Sequence, residues 1–384
     1  MKHFKILTII GARPQIIKAA ALSRAIKRKF ADRIKEVIVH TGQHYDENMS
    51  QVFFDELAIP HPNYNLNVGS GSHGKQTATM IEGIEEILLK EKPNAIVLYG
   101  DTNSTLAGAI AASKISIPVV HIEAGLRSFN KSMPEEINRI LCDHVSTLLF
   151  TPTKAGFNNL LKEGFKENNQ APFSIDNPKI YHCGDVMYDN SLYFSAIAEE
   201  KTSILKTHNL QKGEFVLATI HRNNNTDEPI RLTTLFNAIN KIATENKIRF
   251  IIPLHPRTAK LLPKNLSSQL YTAIKTSKYI NIIEPVSFLE MIALEKNAKL
   301  IMTDSGGVQK EAFFFQKPCI ILRSETEWVE LVNCGSAKIA DADETKIVDA
   351  YNYFSKTTAL QFPGLFGEGT AAEFICEKIL KYIV

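Results

Sequence analysis

Three acidic residues stand where apolar runs end or helices begin: Asp101 in Gly100-Asp101-Thr102-Asn103-Ser104, Glu123 in His121-Ile122-Glu123-Ala124-Gly125-Leu126-Arg127, and Glu135 in Met133-Pro134-Glu135-Glu136. If the preceding runs pack as strands, these carboxylates point toward one mouth, where they perturb one another's proton affinity and divide acid and base duties. Each has a plainer reading as well. Ser, Thr, Asp and Asn cap helices, and a proline followed by two acids is ordinary for a first helical turn. A second set of residues would handle an anion. Residues 300–312 place a short apolar strand, the turn Ser305-Gly306-Gly307 and a helix from Val308 onward in succession, the order a diphosphate cradle requires. Glu311, one turn in, is set to grip a ribose. The helix dipole contributes only about 0.3–1 kcal/mol, so cations are needed too. Thr219-Ile220-His221-Arg222 and Pro253-Leu254-His255-Pro256-Arg257 bring a histidine and an arginine to two further strand ends. Arginine forks suit diphosphate, although histidines at such places also pack or cap. Gly11-Ala12-Arg13-Pro14-Gln15, with Lys18 in the helix that follows, is either another anion site or a tight turn with Arg13 solvated.

The elements that must position these residues follow from periodicity. Val- and Ile-rich runs at 5–10, 36–40, 95–99, 118–122 and 148–151 alternate with helical patterns over 16–30, 49–57, 74–90, 104–114 and 134–145, which predicts a parallel, doubly wound sheet. After a polar stretch at 166–178 come a strand at 180–183 and a connecting helix near 189–199. The alternation restarts with strands at 215–219, 249–253, 280–283, 300–303 and 319–322. A final helix over 371–383 follows a loop with Gly364, Gly367 and Gly369 and is long enough to return to the first domain. The expected architecture is α/β with two domains and a cleft between them: residues 1–187, residues 188–368, and a terminal helix within 369–384 packing back on the first. Open α/β sheets bind ligands at the carboxyl ends of their strands, where the polar residues cluster.

Composition narrows the class. At 384 residues and 44% hydrophobic content, two ordinary domains can each bury a core. A net charge of +3 with dispersed basic residues speaks against nucleic acid and anionic membrane partners. The five cysteines are odd in number, widely spaced and lack C-x-x-C pairs, against a disulfide framework or zinc knuckle and in favour of a reducing cytoplasm. The apolar run at 6–10 is too short for a signal-peptide core, and no segment approaches the roughly 20 apolar residues of a membrane helix. No metal is expected: the one H-x-x-x-H spacing, His40 and His44, crosses a strand end and a glycine, and H-E-x-x-H is absent. G-x-S-x-G and G-x-G-x-x-G are absent too, against serine hydrolase chemistry and a dinucleotide cofactor.

In order and spacing, GARPQIIKAA, HTGQH, YGDTNST, HIEAGLRS, MPEEINR, TIHR, TDSGGVQKEA and GEGTAAE resemble the UDP-N-acetylglucosamine 2-epimerase family over nearly the whole chain. The resemblance implies two Rossmann-like domains of the glycosyltransferase B type and a homodimer. It also implies interconversion of UDP-GlcNAc and UDP-ManNAc, by elimination and re-addition of UDP, without metal or NAD. It puts acid/base carboxylates at Asp101, Glu123 and Glu135 and catalytic or diphosphate roles at Lys18 and His221. Arg13, Ser305, Gly306 and Gly307 fall on UDP-binding positions, Glu311 on the ribose ligand, and Phe288 or Met291 near the uracil. His44, Arg139, Arg222 and His255 complete the expected substrate-binding set. Gln15 departs from the Glu of many plain UDP-GlcNAc epimerases. The positions matching the activator site of some bacterial members are Gln43, Gln76 and Glu136, with Lys75 in place of an Arg and Asp46 where some have Gln. GARPQ, Gly184-Asp185-Val186-Met187-Tyr188-Asp189 and Thr326-Glu327-Trp328 also look like the branch acting on UDP-2,3-diacetamido-2,3-dideoxy-glucuronate. Rival readings are a glycosyltransferase of the same fold, a hydrolysing epimerase and an inactive nucleotide-sugar sensor.

Overall fold

The Val- and Ile-rich runs form strands whose residues are mostly inaccessible from either face, as in parallel sheets with both faces covered. A computed structural model describes residues 4–43 and 59–383; the helix predicted over 49–57, His44 and Asp46 lie outside them. Two compact units emerge, Met1–Leu192 with Gly364–Val384, and Tyr193–Pro363. The division falls inside the helix Val186–Lys201.

In the first unit the described strands are β1 (Phe4–Ile10), β2 (Ile34–His40), β3 (Tyr64–Asn65), β4 (Ala95–Tyr99), β5 (Val119–Ile122), β6 (Leu148–Thr151) and β7 (Lys179–His182). Every pairing is parallel, in the order β3-β2-β1-β4-β5-β6-β7. Order reverses between β1 and β4, so the chains leaving these two strands part company and leave room for a ligand. The helix Arg13–Ala25 starts three residues earlier than predicted because Pro14 fits the first turn, and it passes into a π-helical turn, Ile26–Phe30. The helix Lys154–Lys162, between β6 and β7, was not anticipated.

The second unit repeats the plan with β8 (Phe215–Thr219), β9 (Arg249–Pro253), β10 (Ile280–Ile283), β11 (Leu300–Thr303), β12 (Cys319–Ile321) and β13 (Ala337–Ile339). The order is β10-β9-β8-β11-β12-β13, again all parallel, with the reversal between β8 and β11. Helices such as Pro229–Asn246 and Glu344–Lys356 bury Leu232, Phe236, Ile347 and Tyr351 in one core with strand residues Val216, Phe250 and Met302.

The last helix, Ala371–Tyr382, belongs to the first unit. Phe374 sets its ring nearly perpendicular to Phe150 and Tyr181, at 6.4 and 5.7 Å between centroids. Asp189 holds the helix start by accepting from the Ala371 and Ala372 N–H groups at 3.2 and 2.8 Å. Burial outweighs those bonds and pushes the Asp189 carboxyl up to about 6. No helix among the described residues is long and apolar enough to cross a membrane.

Gly125 shows how tightly the first unit is closed. It is left-handed, at φ +77°, and a Cβ there would lie 2.3 Å from the Gly156 carbonyl oxygen. Gly125→Ala is expected to cost about 1–3 kcal/mol of folding free energy, seen as a lowered urea midpoint; an unchanged midpoint would contradict this packing.

Candidate active site

The loops leaving β1, β2 and β4 in the first unit meet over Gly11, where a Cβ would fall 2.1 Å from both Thr41 Oγ1 and Ser104 Oγ. Glycine lets those hydroxyls bond each other at 2.8 Å, and Gln43 Oε1 accepts from Ser104 N and Oγ at 3.1 and 2.7 Å. Gln15, buried in the first turn of its helix, ties the β1 and β4 ends together. Its Oε1 accepts from the Gly11 and Ala12 N–H groups at 2.9 and 3.2 Å. Its Nε2 donates to the Tyr99 carbonyl and Thr105 Oγ1 at 3.1 and 3.0 Å.

On this frame two carboxylates are held, each with a cation. Glu123 Oε1 meets Lys18 Nζ at 2.6 Å, both side chains only about a tenth exposed. Glu123 adopts φ +72°, a left-handed conformation costly for a residue with a Cβ. Asp101 pairs with Arg139, and its backbone carbonyl accepts from Asn138 Nδ2 at 3.0 Å. Although the Asp101 side chain is 29% exposed, the surrounding protein desolvates it, and this raises its pKa against the lowering pull of Arg139 and Lys18. The charges of Glu123 and Glu135 push the same way. Glu135 itself is exposed in the first turn of Pro134–His144. Thus Asp101, Glu123, Glu135, Lys18 and Arg139 share one electrostatic neighbourhood. Arg13 lies exposed at the start of its helix, and His44 lies outside the described residues.

Gln76 and Glu136 are buried and committed to the surrounding framework, as Gln43 is. Gln76 donates to the Gly69 carbonyl at 2.7 Å and accepts from Asn103 at 2.9 Å. Glu136 accepts from Ser128 N, Ser128 Oγ and Phe129 N at 2.9–3.0 Å.

In the second unit, the groups at the reversal point are organised by Asp304, fully buried at the end of β11. Its carboxylate accepts from the backbone N–H groups of His221 and Arg222 and from Asn225 Nδ2, at 3.0–3.2 Å. This pins the turn after β8, and the His221 ring, half exposed, keeps Nδ1 3.3 Å from Asp304 Oδ1. The helix after β11 begins at Gly306, two residues before the predicted start, because Ser305 caps it. Both glycines therefore lie in its first turn. A Cβ on Gly306 would lie 2.2 Å from Glu327 Oε1, whose partner oxygen accepts from Arg323 Nη1 at 2.9 Å. Glu311 is nearly buried within the same helix. His255 caps the helix Pro256–Asn265, its Nδ1 accepting from Arg257 N at 3.2 Å, and Arg257 is paired with Asp227. Phe288 is buried edge-on to Phe194, whereas Met291 remains partly exposed.

The family model described as UDP-N-acetylglucosamine 2-epimerase matches residues 26–380. The chain belongs to the UDP-N-acetylglucosamine 2-epimerase family. Among its relatives, the UDP-2,3-diacetamido-2,3-dideoxy-D-glucuronate 2-epimerase of Pseudomonas aeruginosa is 47% identical over 98% of this chain and 99% of its own. The UDP-N-acetylglucosamine 2-epimerase of Methanocaldococcus jannaschii is 44% identical over 98% and 99%. The crystal structure of the M. jannaschii UDP-GlcNAc 2-epimerase in complex with UDP-GlcNAc and UDP superposes with a TM-score of 0.84, covering 98% of this chain and 99% of that one. The two-sheet fold expected from the resemblance is thus the fold of family members.

The sequence does not flag Asp304, Asn138 or the pairing role of Arg139, since their partners lie 35 to 83 residues away. In TDSGG, only the aspartate directly after a buried strand hinted at an anchor. Gln15 also proves more specific than a turn residue. Gln15→Glu in its ionised form removes both donations and sets a carboxylate against the Tyr99 carbonyl, whereas the protonated acid keeps one donor; a loss of about 1–3 kcal/mol is expected. Burial raises the new acid's folded pKa above its unfolded value of about 4.3. The loss should therefore grow as pH rises through that range, as urea unfolding at pH 5 and pH 8 would report, and equal losses at both would contradict the assignment.

Proposed function

We propose that the protein is a non-hydrolysing UDP-sugar 2-epimerase that interconverts UDP-GlcNAc and UDP-ManNAc, acting as a cytoplasmic homodimer in surface polysaccharide precursor synthesis. The observation that carries the reading is the gathering of Asp101 and Glu123, at adjacent strand ends, and Glu135, at a helix start, around Lys18 and Arg139. Family membership and the M. jannaschii structure with UDP-GlcNAc and UDP support it.

C2 of a 2-acetamido sugar has no neighbouring carbonyl, so its proton is hard to remove alone. Elimination avoids the difficulty: a carboxylate takes the C2 proton, the C–H electrons form the C1=C2 bond, and the C1–O bond to UDP breaks. The products are a 2-acetamidoglucal and UDP, both still bound. Return of a proton to the other face of C2 and re-addition of UDP at C1 give the epimer. Asp101, whose proton affinity burial raises above that of an ordinary carboxylate, suits a group that both takes and returns a proton. Lys18, His221, Arg222 and Arg13 offset charge developing on the departing diphosphate. Ser305, Gly306 and Gly307 hold it at the helix start. Glu311 takes the ribose, and Arg139, His255 and Met291 complete the substrate contacts.

The identity to the P. aeruginosa enzyme favours a second reading, in which the sugar is 2,3-diacetamido-2,3-dideoxy-glucuronate. Proton NMR in deuterated water separates the two. Deuterium at C2 with appearance of UDP-ManNAc supports the first, and turnover of the diacetamido nucleotide alone supports the second. Release of free ManNAc would indicate hydrolysis, and inertness toward both nucleotides would overturn the epimerase reading. Asp101→Asn and Glu123→Gln are each expected to lower turnover by about 10²–10⁴-fold with UDP affinity nearly unchanged; lost UDP binding with preserved turnover would reverse the roles.

A further inference from the structure

His121 is fully buried next to the turn that carries Asp101. Its Nδ1 lies 2.7 Å from Asp143 Oδ1 and its Nε2 lies 2.8 Å from the Gly100 carbonyl oxygen. Neither partner has a hydrogen to give. The carbonyl only accepts, and the second oxygen of Asp143 already accepts from Arg127 Nη1 at 2.8 Å and Gly125 N at 3.1 Å. A neutral imidazole has one N–H and would have to turn a lone pair toward one of these acceptors. An imidazolium satisfies both. We infer that His121 is a standing imidazolium that donates to the Gly100 carbonyl, fixes the left-handed turn presenting Asp101, and so serves as a positioning residue for the reaction. The last part rests on the role proposed for Asp101.

The charges around the ring are consistent with this state. Arg127 grips Glu163 through Nε and Nη2, both at 2.7 Å. His121, Asp143, Arg127 and Glu163 thus form an alternating series of two cations and two carboxylates with no net charge. Removing the imidazolium proton would leave an excess negative charge among side chains of which only Glu163 reaches solvent appreciably. Burial works against a charged ring, but neighbouring Cys142 and Asp143 outweigh it and raise the His121 pKa well above the ordinary value. Burial likewise opposes ionisation of Asp143, and His121 and Arg127 overcome it to lower that pKa. On the far side of the turn stand Asp101 with Arg139, and Lys18 with Glu123. Gly100 is left-handed at φ +62°, and a Cβ there would lie 3.0 Å from Lys18 Nζ and 3.4 Å from Glu123 Oε1. A shift of its carbonyl would therefore move the backbone at the centre of the cluster.

Nitrogen-15 NMR of the histidine rings in the full-length protein tests the charge state without reference to activity, with His121→Gln identifying the signal. Both ring nitrogens of His121 are expected to stay protonated from pH 6 to pH 9, whereas an ordinary solvated imidazole titrates near about 6.5. A neutral tautomer at pH 7 would overturn the inference. Asp143→Asn tests the positioning role. It removes the partner that holds the proton, so the His121 pKa falls. Turnover in the variant should survive at low pH and fall as pH rises through the new pKa, by about 10²-fold, the effect of misplacing a catalytic group by an ångström, with KM little changed. A uniform loss at every pH would mark the residue as structural only. Absence of turnover in the unaltered protein would instead strike at the proposed function and leave the NMR result standing.

Discussion

Each sheet reverses its strand order beside its first strand, and nearly everything chemical in the molecule depends on that constraint. Parallel pairing sends every strand of a unit out at the same edge. At the reversal, neighbouring chains turn away from each other and leave backbone ends without a packed neighbour. In the first unit that point lies between β1 and β4, and the loops there carry Gly11, Gly100 and Asp101. In the second it lies between β8 and β11, and the loops carry His221, Arg222, Asp304 and Ser305. The same topological necessity, met twice, yields a carboxylate cluster in one unit and a glycine-rich helix start in the other.

Such open loop ends would be loose without internal ties, and the ties are neutral amides and buried acids rather than apolar packing. Gln15 spans β1 and β4, Gln43 spans β2 and β4, and Asp304 gathers three N–H donors from the segment after β8. Buried polar groups of this kind are costly when any partner is missing. Bonded in this way, they hold the loop ends that carry Asp101, His221 and Arg222 in one arrangement, the rigidity that preorganised electrostatics requires.

Much of the architecture was legible in the sequence because it is written in local patterns. The strands β4, β6, β8, β9, β10 and β11 match the predicted apolar runs to the residue, since a buried parallel strand is a continuous hydrophobic run. The two-residue β3 and three-residue β13 carry too little pattern to stand out. Asp101, Glu123 and Glu135 were visible as acids at element ends. That Asp101 faces Arg139, and Glu123 faces Lys18, was not visible, because pairing across 38 and 105 residues is decided by topology. His255 illustrates the opposite case: capping is open to a histidine just before Pro256, and in the structure its Nδ1 caps its own helix.

The left-handed backbone at Glu123 sets this position at odds with folding. Only glycine, and to a lesser degree asparagine or aspartate, rests comfortably at φ +72°, and strain of this kind is worth on the order of 1–3 kcal/mol. A search for greater thermal stability by random substitution would therefore be drawn toward glycine here and would discard the carboxylate beside Lys18. On the role proposed for Glu123, stability and chemistry select different residues at this position, and only selection for activity would keep the glutamate.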